Sequence, residues 1–189
     1  MGPVYLWITL AAALALLLVS GDPSYAMLRA MATIATFGIE IPGHSGAGGV
    51  PGEAILAVVM LFALSRSTFS TVFARARKWR ITEDPELRVA AGLVLVATIV
   101  LIGHGAHSVA DLGARLELTW GAFFTSLSFL TTTGLASESL PSGLLNLDPV
   151  EIILVALAMI GGGVATTAGG IKLLRVFILA GHSRAEVNR

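Results

Sequence analysis

The chain has no cysteine, which excludes a disulfide framework and a thiolate metal site. Charge is scarce too. Lys, Arg, Asp and Glu make up 13% of the 189 residues, against about 25% in soluble domains. Twelve basic side chains balance twelve acidic ones, so no excess of positive charge points to nucleic acid as a partner. What fills the chain instead is apolar: 55% of residues are hydrophobic and the mean hydropathy is +0.84. Such a composition belongs in lipid. The first twenty residues have an n-region, Met1-Gly2-Pro3, without positive charge, and their apolar run is long for a signal peptide. They are expected to be a retained span.

Four runs are long and apolar enough to cross a bilayer, which takes about 17–25 helical residues: Val4–Ser20, Ala54–Phe73, Leu87–Gly103 and Val150–Ala180. Two shorter apolar pieces, Tyr25–Ala35 and Leu118–Leu130, lie between them and fit half-helices that enter the membrane and return. The order span, short helix, Thr/Gly turn, polar loop, span therefore occurs twice, with "MATIATFGIEIPG" (31–43) and "LSFLTTTGLASES" (127–139) in equivalent places. The expected fold is an all-α polytopic membrane protein of two helix–pore-helix–filter loop–helix repeats. The first occupies 1–75, a linker 76–86, and the second 87–189. Arg75, Arg77, Lys78, Arg80 and Arg88 cluster between spans two and three, and Lys172, Arg175, Arg184 and Arg189 lie toward the C-terminus. By the positive-inside rule the linker and both termini are cytoplasmic, and both Thr/Gly turns are entered from outside.

Thr131-Thr132-Thr133-Gly134 interrupts an apolar stretch with three hydroxyls and a glycine. Non-helical backbone at membrane depth is tolerated only where protein buries it or it lines water. In a cation filter, backbone carbonyls replace the hydration shell of the ion. Threonine hydroxyls can add ligands, and glycine lets the backbone adopt dihedrals closed to other residues. The turn holds no carboxylate, which suits a weakly held monovalent cation better than calcium or magnesium. Thr-Gly after a short helix is equally a C-terminal cap, and threonines also join membrane helices. The last span is itself interrupted by "GGGVATTAGGIK" (161–172). Glycine costs about 1 kcal/mol relative to alanine inside a helix, so this stretch is expected to be unwound: either a gate behind the filter, or a packing seam from which Lys172 snorkels to the headgroups.

"SLSFLTTTGL" followed by "GGGVATTAGGIKLLR" resembles the Trk/Ktr/HKT superfamily of potassium transporters, its bacterial TrkH type in particular, and the basic-then-acidic "RKWRITEDPELRVA" (77–90) resembles the link between that family's second and third repeats. The resemblance implies K⁺ as the transported ion, no covalently bound cofactor, a bacterial-type inner-membrane location and a pore surrounded by four repeats. It implies a filter lined by Thr131, Thr132, Thr133, Gly134 and Leu135 in one repeat and by Ala35, Thr36, Phe37, Gly38 and Ile39 in the other. Gly161, Gly162, Gly163, Thr166, Thr167, Gly169, Gly170 and Lys172 would belong to an intramembrane gating loop. The chain departs from the family pattern in the bulk of Phe37, in Leu135 for the usual Phe, and in Ala165-Thr166 for the usual Gly-Ser. It also has two repeats where four are needed. A homo-oligomer, complementary repeats on another polypeptide, or a longer parent protein would supply the remainder; a fragment or split subunit is the favoured expectation. A cytoplasmic nucleotide-binding regulator of the TrkA/KtrA kind is the further implied partner.

Other motifs point elsewhere. "GHSGAGG" (43–49) nearly matches a nucleophile elbow at Ser45, and an intramembrane serine hydrolase with His104 or His107 as base is the enzyme alternative. "HGAH" (104–107) with Asp111 has the spacing for a metal but reads more simply as interfacial histidines. Glu40, Glu53, Glu138, Asp148 and Glu151 are placed in outward loops, as solvated polarity or as a negative vestibule that concentrates cations. Arg66 lies inside span two, and the basic 75–80 stretch fits anionic lipid headgroups. A non-conducting membrane subunit that packs on a transporter is the remaining reading.

Overall fold

The computed structural model describes residues 2–39, 48–64, 85–106, 111–141, 143–162 and 168–171. Among these there are only helices and turns. The helices are α1 (Gly2–Ser20), α2 (Pro23–Ile34), α3 (Gly49–Leu64), α4 (Pro85–Gly105), α5 (Leu112–Leu130) and α6 (Asp148–Ile160), with a 3-10 turn at Leu144–Asn146 before α6. Residues 76–84 of the expected 76–86 linker, Arg66, the 75–80 basic stretch and the tail from Lys172 onward lie outside the described residues, while Pro85 and Glu86 already belong to α4.

The starts of α2 and α5 are set by side-chain caps. Asp22 accepts from the backbone N–H groups of Ser24 (2.9 Å) and Tyr25 (3.4 Å), and Pro23 opens the first turn, where its missing N–H costs nothing. Asp111 does the same for α5 by accepting from Leu112 at 2.9 Å. This cap explains a difference from the sequence expectation: the helix begins at Leu112 rather than Leu118. Residues 112–117 include Arg115 and Glu117 and are largely exposed, so hydropathy alone misses them although they are good helix formers. The apolar piece from Leu118 to Leu130 is the buried part of the helix. Likewise α3 starts at Gly49, five residues ahead of the apolar run, and brings Glu53 into a helix. At the other end α6 stops at Ile160, where the glycines begin.

Among the described residues one helix, Leu87–Gly105, is long and apolar enough by itself to cross a membrane; Tyr5–Ser20 and Gly49–Leu61 are shorter apolar helices. The twelve residues of α2 reach about 18 Å at 1.5 Å per residue, short of a hydrocarbon core of about 30 Å.

The helices pack as two triads. In one, α1, α2 and α3 touch each other; in the other, α4, α5 and α6 do, and α3 meets α5 where the triads join. One apolar cluster runs through both, from Leu16, Ala26 and Met60 to Leu101, Leu127 and Leu154. Its contacts are rich in small residues: Ala12, Ala26 and Ala30 in the first triad, Ala90, Ala97 and Ala122 in the second. Between helices in lipid, close backbone approach and van der Waals contact replace the hydrophobic drive, and small side chains permit that approach. The outer faces carry Leu6, Trp7, Leu14 and Leu18 on α1, Leu95 and Ile99 on α4, and Ile152 and Met159 on α6.

Candidate functional site

The two Thr/Gly turns are built alike. Helix α2 closes through Ala35 (φ −75°, ψ −2°) and α5 through Thr131 (φ −77°, ψ 1°). The next residues, Thr36 (φ 52°) and Thr132 (φ 59°), are the only non-glycine residues with positive φ among those described. In the first turn the Phe37 N–H donates to the Ala32 carbonyl at 2.8 Å and the Thr36 N–H to that of Thr33 at 3.1 Å; in the second, Thr133 donates to Ser128 at 2.9 Å and Thr132 to Phe129 at 3.0 Å. This pair of bonds is the Schellman closure, in which the left-handed position normally belongs to glycine. A β-branched residue there carries about 1–2 kcal/mol of backbone strain. Both turns hold it at the same place.

After the second turn the chain is tied back onto α5 by hydroxyls. Ser128 Oγ accepts the Leu135 N–H at 2.6 Å, and Thr125 Oγ1 accepts the Ser137 N–H at 3.1 Å. Thr131 Oγ1 donates to the Ser128 carbonyl at 3.0 Å and lies 3.0 Å from Thr133 Oγ1. Thr125, Ser128, Thr131 and Thr133 are all buried. The hydroxyls of Thr131 and Thr133 thus serve the turn itself. Among the described residues no hydrogen-bond donor reaches the carbonyls of residues 131–135.

The turns meet through their glycines. A Cβ on Gly38 would fall on the Thr133 carbonyl oxygen, with the Gly134 carbonyl carbon 3.3 Å away. At Gly134 (φ 76°) the opposite holds: among the described residues a Cβ would find no heavy atom within 4 Å. One glycine permits backbone contact between the turns; the other borders open space. Phe37 is 65% exposed, Leu135 is 1% exposed and Ile39 is 45% exposed. The carbonyl of Ile39 already accepts from Arg29 Nη1 at 2.8 Å. That guanidinium also lies 6.0 Å from the centre of the Tyr25 ring.

The glycine segment after α6 reaches the same place. Gly161 turns at φ 75° and Gly170 at φ 84°. Their backbones pack so closely that a Cβ on Gly170 would sit 2.6 Å from the Gly161 Cα. The Ile171 N–H donates to the Met159 carbonyl at 3.0 Å, and the Gly169 N–H donates to Thr132 Oγ1 at 2.7 Å. Residues 168–171 are therefore bonded directly to the strained threonine of the second turn. Gly162 is buried; Gly163, Thr166, Thr167 and Lys172 lie outside the described residues.

Sequence reasoning missed the part played by Glu53. It expected an outward loop; instead Glu53 is half-buried on α3. It accepts from Trp120 Nε1 at 2.7 Å, from Ser137 Oγ at 2.7 and 2.9 Å, and from the Glu138 N–H at 3.2 Å. No local pattern in the sequence marks Glu53 as their shared acceptor, since Trp120 and Ser137 lie 67 and 84 residues away. Of the other acidic residues, Glu138, Asp148 and Glu151 are exposed and Glu40 lies outside the described residues. His104 pairs through Nδ1 with the Val100 carbonyl at 2.9 Å, and Asp111 caps α5. Ser45 and His107 are outside the described residues.

No family model matches the chain. Individual proteins do. It is 32% identical over 197 aligned residues to the Trk system potassium uptake protein TrkH of Escherichia coli K12, covering 98% of this chain and 38% of that protein. It is 26% identical to the TrkH of Vibrio parahaemolyticus over 98% of this chain and 39% of the relative. The crystal structure of the potassium transporter TrkH from Vibrio parahaemolyticus superposes with a TM-score of 0.78 at 25% identity, over 98% of this chain and 40% of that one. The chain spans about two-fifths of the length of the relatives it matches.

Proposed function

Because this chain is a TrkH-like member of the potassium transporter superfamily over part of its relatives' length, we propose that it forms two of the repeats around a potassium-conducting pore in a bacterial-type inner membrane. In this reading the turns at 35–39 and 131–135 are filter segments and the carbonyls of 131–135 replace the water of a passing K⁺. The observation that carries it is the open space at Gly134. The α5 helix ends at the turn, so the negative end of its dipole favours a cation there. Holding Thr36 and Thr132 in a strained conformation is a cost that a simple helix cap, with glycine available, would not retain.

The segment 161–172 is assigned to gating, supported by the bond between Gly169 and Thr132. The remaining repeats come from a second copy or from further polypeptide, and lipid covers the outer apolar faces. A TrkA/KtrA-like nucleotide-binding regulator would bind on the cytoplasmic side, where both termini lie.

The test is ⁸⁶Rb⁺ uptake into proteoliposomes, wild type beside Gly134→Asp. Flux abolished by the substitution supports the reading. Equal flux from both is leak and refutes it. A non-conducting subunit gives no flux alone, and its Gly134→Asp variant leaves unchanged the flux of any complex it joins.

A further inference from the structure

We propose that Glu53 is a positioning residue that clamps the second filter segment from behind, across the junction of the two triads, and thereby sets its cation selectivity. The inference rests on the filter reading above and extends it to a residue outside both turns.

The geometry is convergent. Glu53 stands in the early turns of α3 and belongs to the first triad. Every partner belongs to the second. Trp120 Nε1 comes from the middle of α5, ahead of the turn; Ser137 Oγ and the Glu138 N–H come from the segment that leaves it. One carboxylate therefore joins the helix that enters the turn to the chain that leaves it. The lock extends further, since Ser137 Oγ, while donating to Glu53, accepts the Ser139 N–H at 3.1 Å. Chains of bonds of this kind strengthen one another in a poorly hydrated setting.

The chemistry singles out a carboxylate. Three donor groups converge on two oxygens, and an ionised carboxyl is the side chain that only accepts. Bonds to it are about twice as strong as those between neutral groups. A glutamine would have to turn an N–H toward one of these donors. On the inner side, the Ser128 and Thr125 hydroxyls bind Leu135 and Ser137 to α5. On the outer side, only Glu53 holds residues 137–138 to α3 among the described residues. The spacing of the 131–135 carbonyls is thus framed from two sides. A filter discriminates between cations through the number and spacing of its carbonyls, so loosening one side should blunt that discrimination.

The experiment uses the full chain in detergent micelles, with two readouts on wild type, Glu53→Ala, Glu53→Gln and Ser137→Ala. Hydrogen exchange reports the amides of residues 134–139. Thermal unfolding in KCl against NaCl reports ion-specific stabilisation. We expect Glu53→Ala to speed exchange in 134–139 by about tenfold or more, the scale of losing a bond to a charged acceptor, with α1 unchanged. The K⁺ concentration for half-maximal stabilisation should rise by a similar factor, and the difference between K⁺ and Na⁺ should shrink. Glu53→Gln and Ser137→Ala should fall between it and wild type, and they keep the test open if Glu53→Ala does not fold. Unchanged exchange in all three variants overturns the clamp. Faster exchange with the wild-type ion preference retained also overturns it, by making Glu53 a packing contact alone. Faster exchange in a chain whose wild type shows no K⁺-specific stabilisation overturns the filter reading instead, and the selectivity role falls with it.

Discussion

Thr36 and Thr132 occupy the same left-handed position in the same hydrogen-bonded closure, one after α2 and one after α5, at φ 52° and 59°. They differ in what their hydroxyls do. Thr36 Oγ1 donates to the neighbouring Ala35 carbonyl at 2.7 Å, whereas Thr132 Oγ1 accepts the Gly169 N–H at 2.7 Å. Replacing Thr36 with glycine should relieve about 1–2 kcal/mol of backbone strain. Replacing Thr132 should gain less or nothing, because the Gly169 N–H loses its acceptor, worth about 0.5–1.5 kcal/mol. Thermal unfolding of the two variants side by side checks this difference; equal gains would mean that the Gly169 bond contributes nothing.

The two turn glycines predict opposite failures. Gly38→Ala drives a methyl into the Thr133 carbonyl and should destabilise by about 1–3 kcal/mol, as overpacking does. Gly134→Ala meets no atom of the described residues and should cost about 1–2 kcal/mol from its positive φ alone. Its larger effect should be on ion passage, since the methyl projects into the open space. Comparing unfolding midpoints with ⁸⁶Rb⁺ flux for both variants separates the two roles: stability should suffer more at 38, and flux per folded molecule should suffer more at 134.

Two neighbouring buried serines on α5 make a matched pair. Ser128 Oγ accepts the Leu135 N–H at 2.6 Å, while Ser126 Oγ has no partner among the described residues. Ser128→Ala leaves a buried N–H without an acceptor and should cost about 1–3 kcal/mol. Ser126→Ala removes an unpaired hydroxyl and should be neutral or stabilising by up to about 1 kcal/mol. Denaturation of each variant is the check. A large loss at Ser126 would mean that its hydroxyl has a partner in the assembled protein.

Much of this was legible in the residues. The apolar runs located the helices, and "TTTGL" and the "GGG" of 161–163 marked the ends of α5 and α6. Hydropathy could not find the first turns of α3 and α5: α5 opens on the Asp111 cap, and α3 opens on Gly49-Val50-Pro51-Gly52, where proline is tolerated only because the first turn needs no N–H. For the same reason Glu53 looked like loop polarity. Its role depends on Trp120 and Ser137, far away in the sequence, and no local pattern encodes a bond across two triads. The threonines were read as ion ligands by their hydroxyl chemistry. That Thr131 and Thr133 spend those hydroxyls on each other follows from the left-handed turn at Thr132, a backbone choice that residue type disfavours and composition does not reveal.

Gly161→Ala should free the 168–171 segment, since a methyl there meets the Gly169 carbonyl oxygen and, at 2.8 Å, the Gly170 Cα. The expected result is faster hydrogen exchange at Gly169 and Ile171 with α4 and α5 unchanged. Under the gating assignment it should be accompanied by a changed open-state flux. Protection equal to wild type would show that the close approach of Gly161 and Gly170 does not hold the segment.

The most direct measurement of the central claim is anomalous diffraction from crystals of this chain grown in RbCl. Rb⁺ density among the backbone carbonyls of residues 131–135, beside the open space at Gly134 and lost in Gly134→Asp, is the predicted result. Rb⁺ absent from both turns in well-ordered crystals, or bound only at the outer carboxylates, would contradict a filter built from the Thr36 and Thr132 turns.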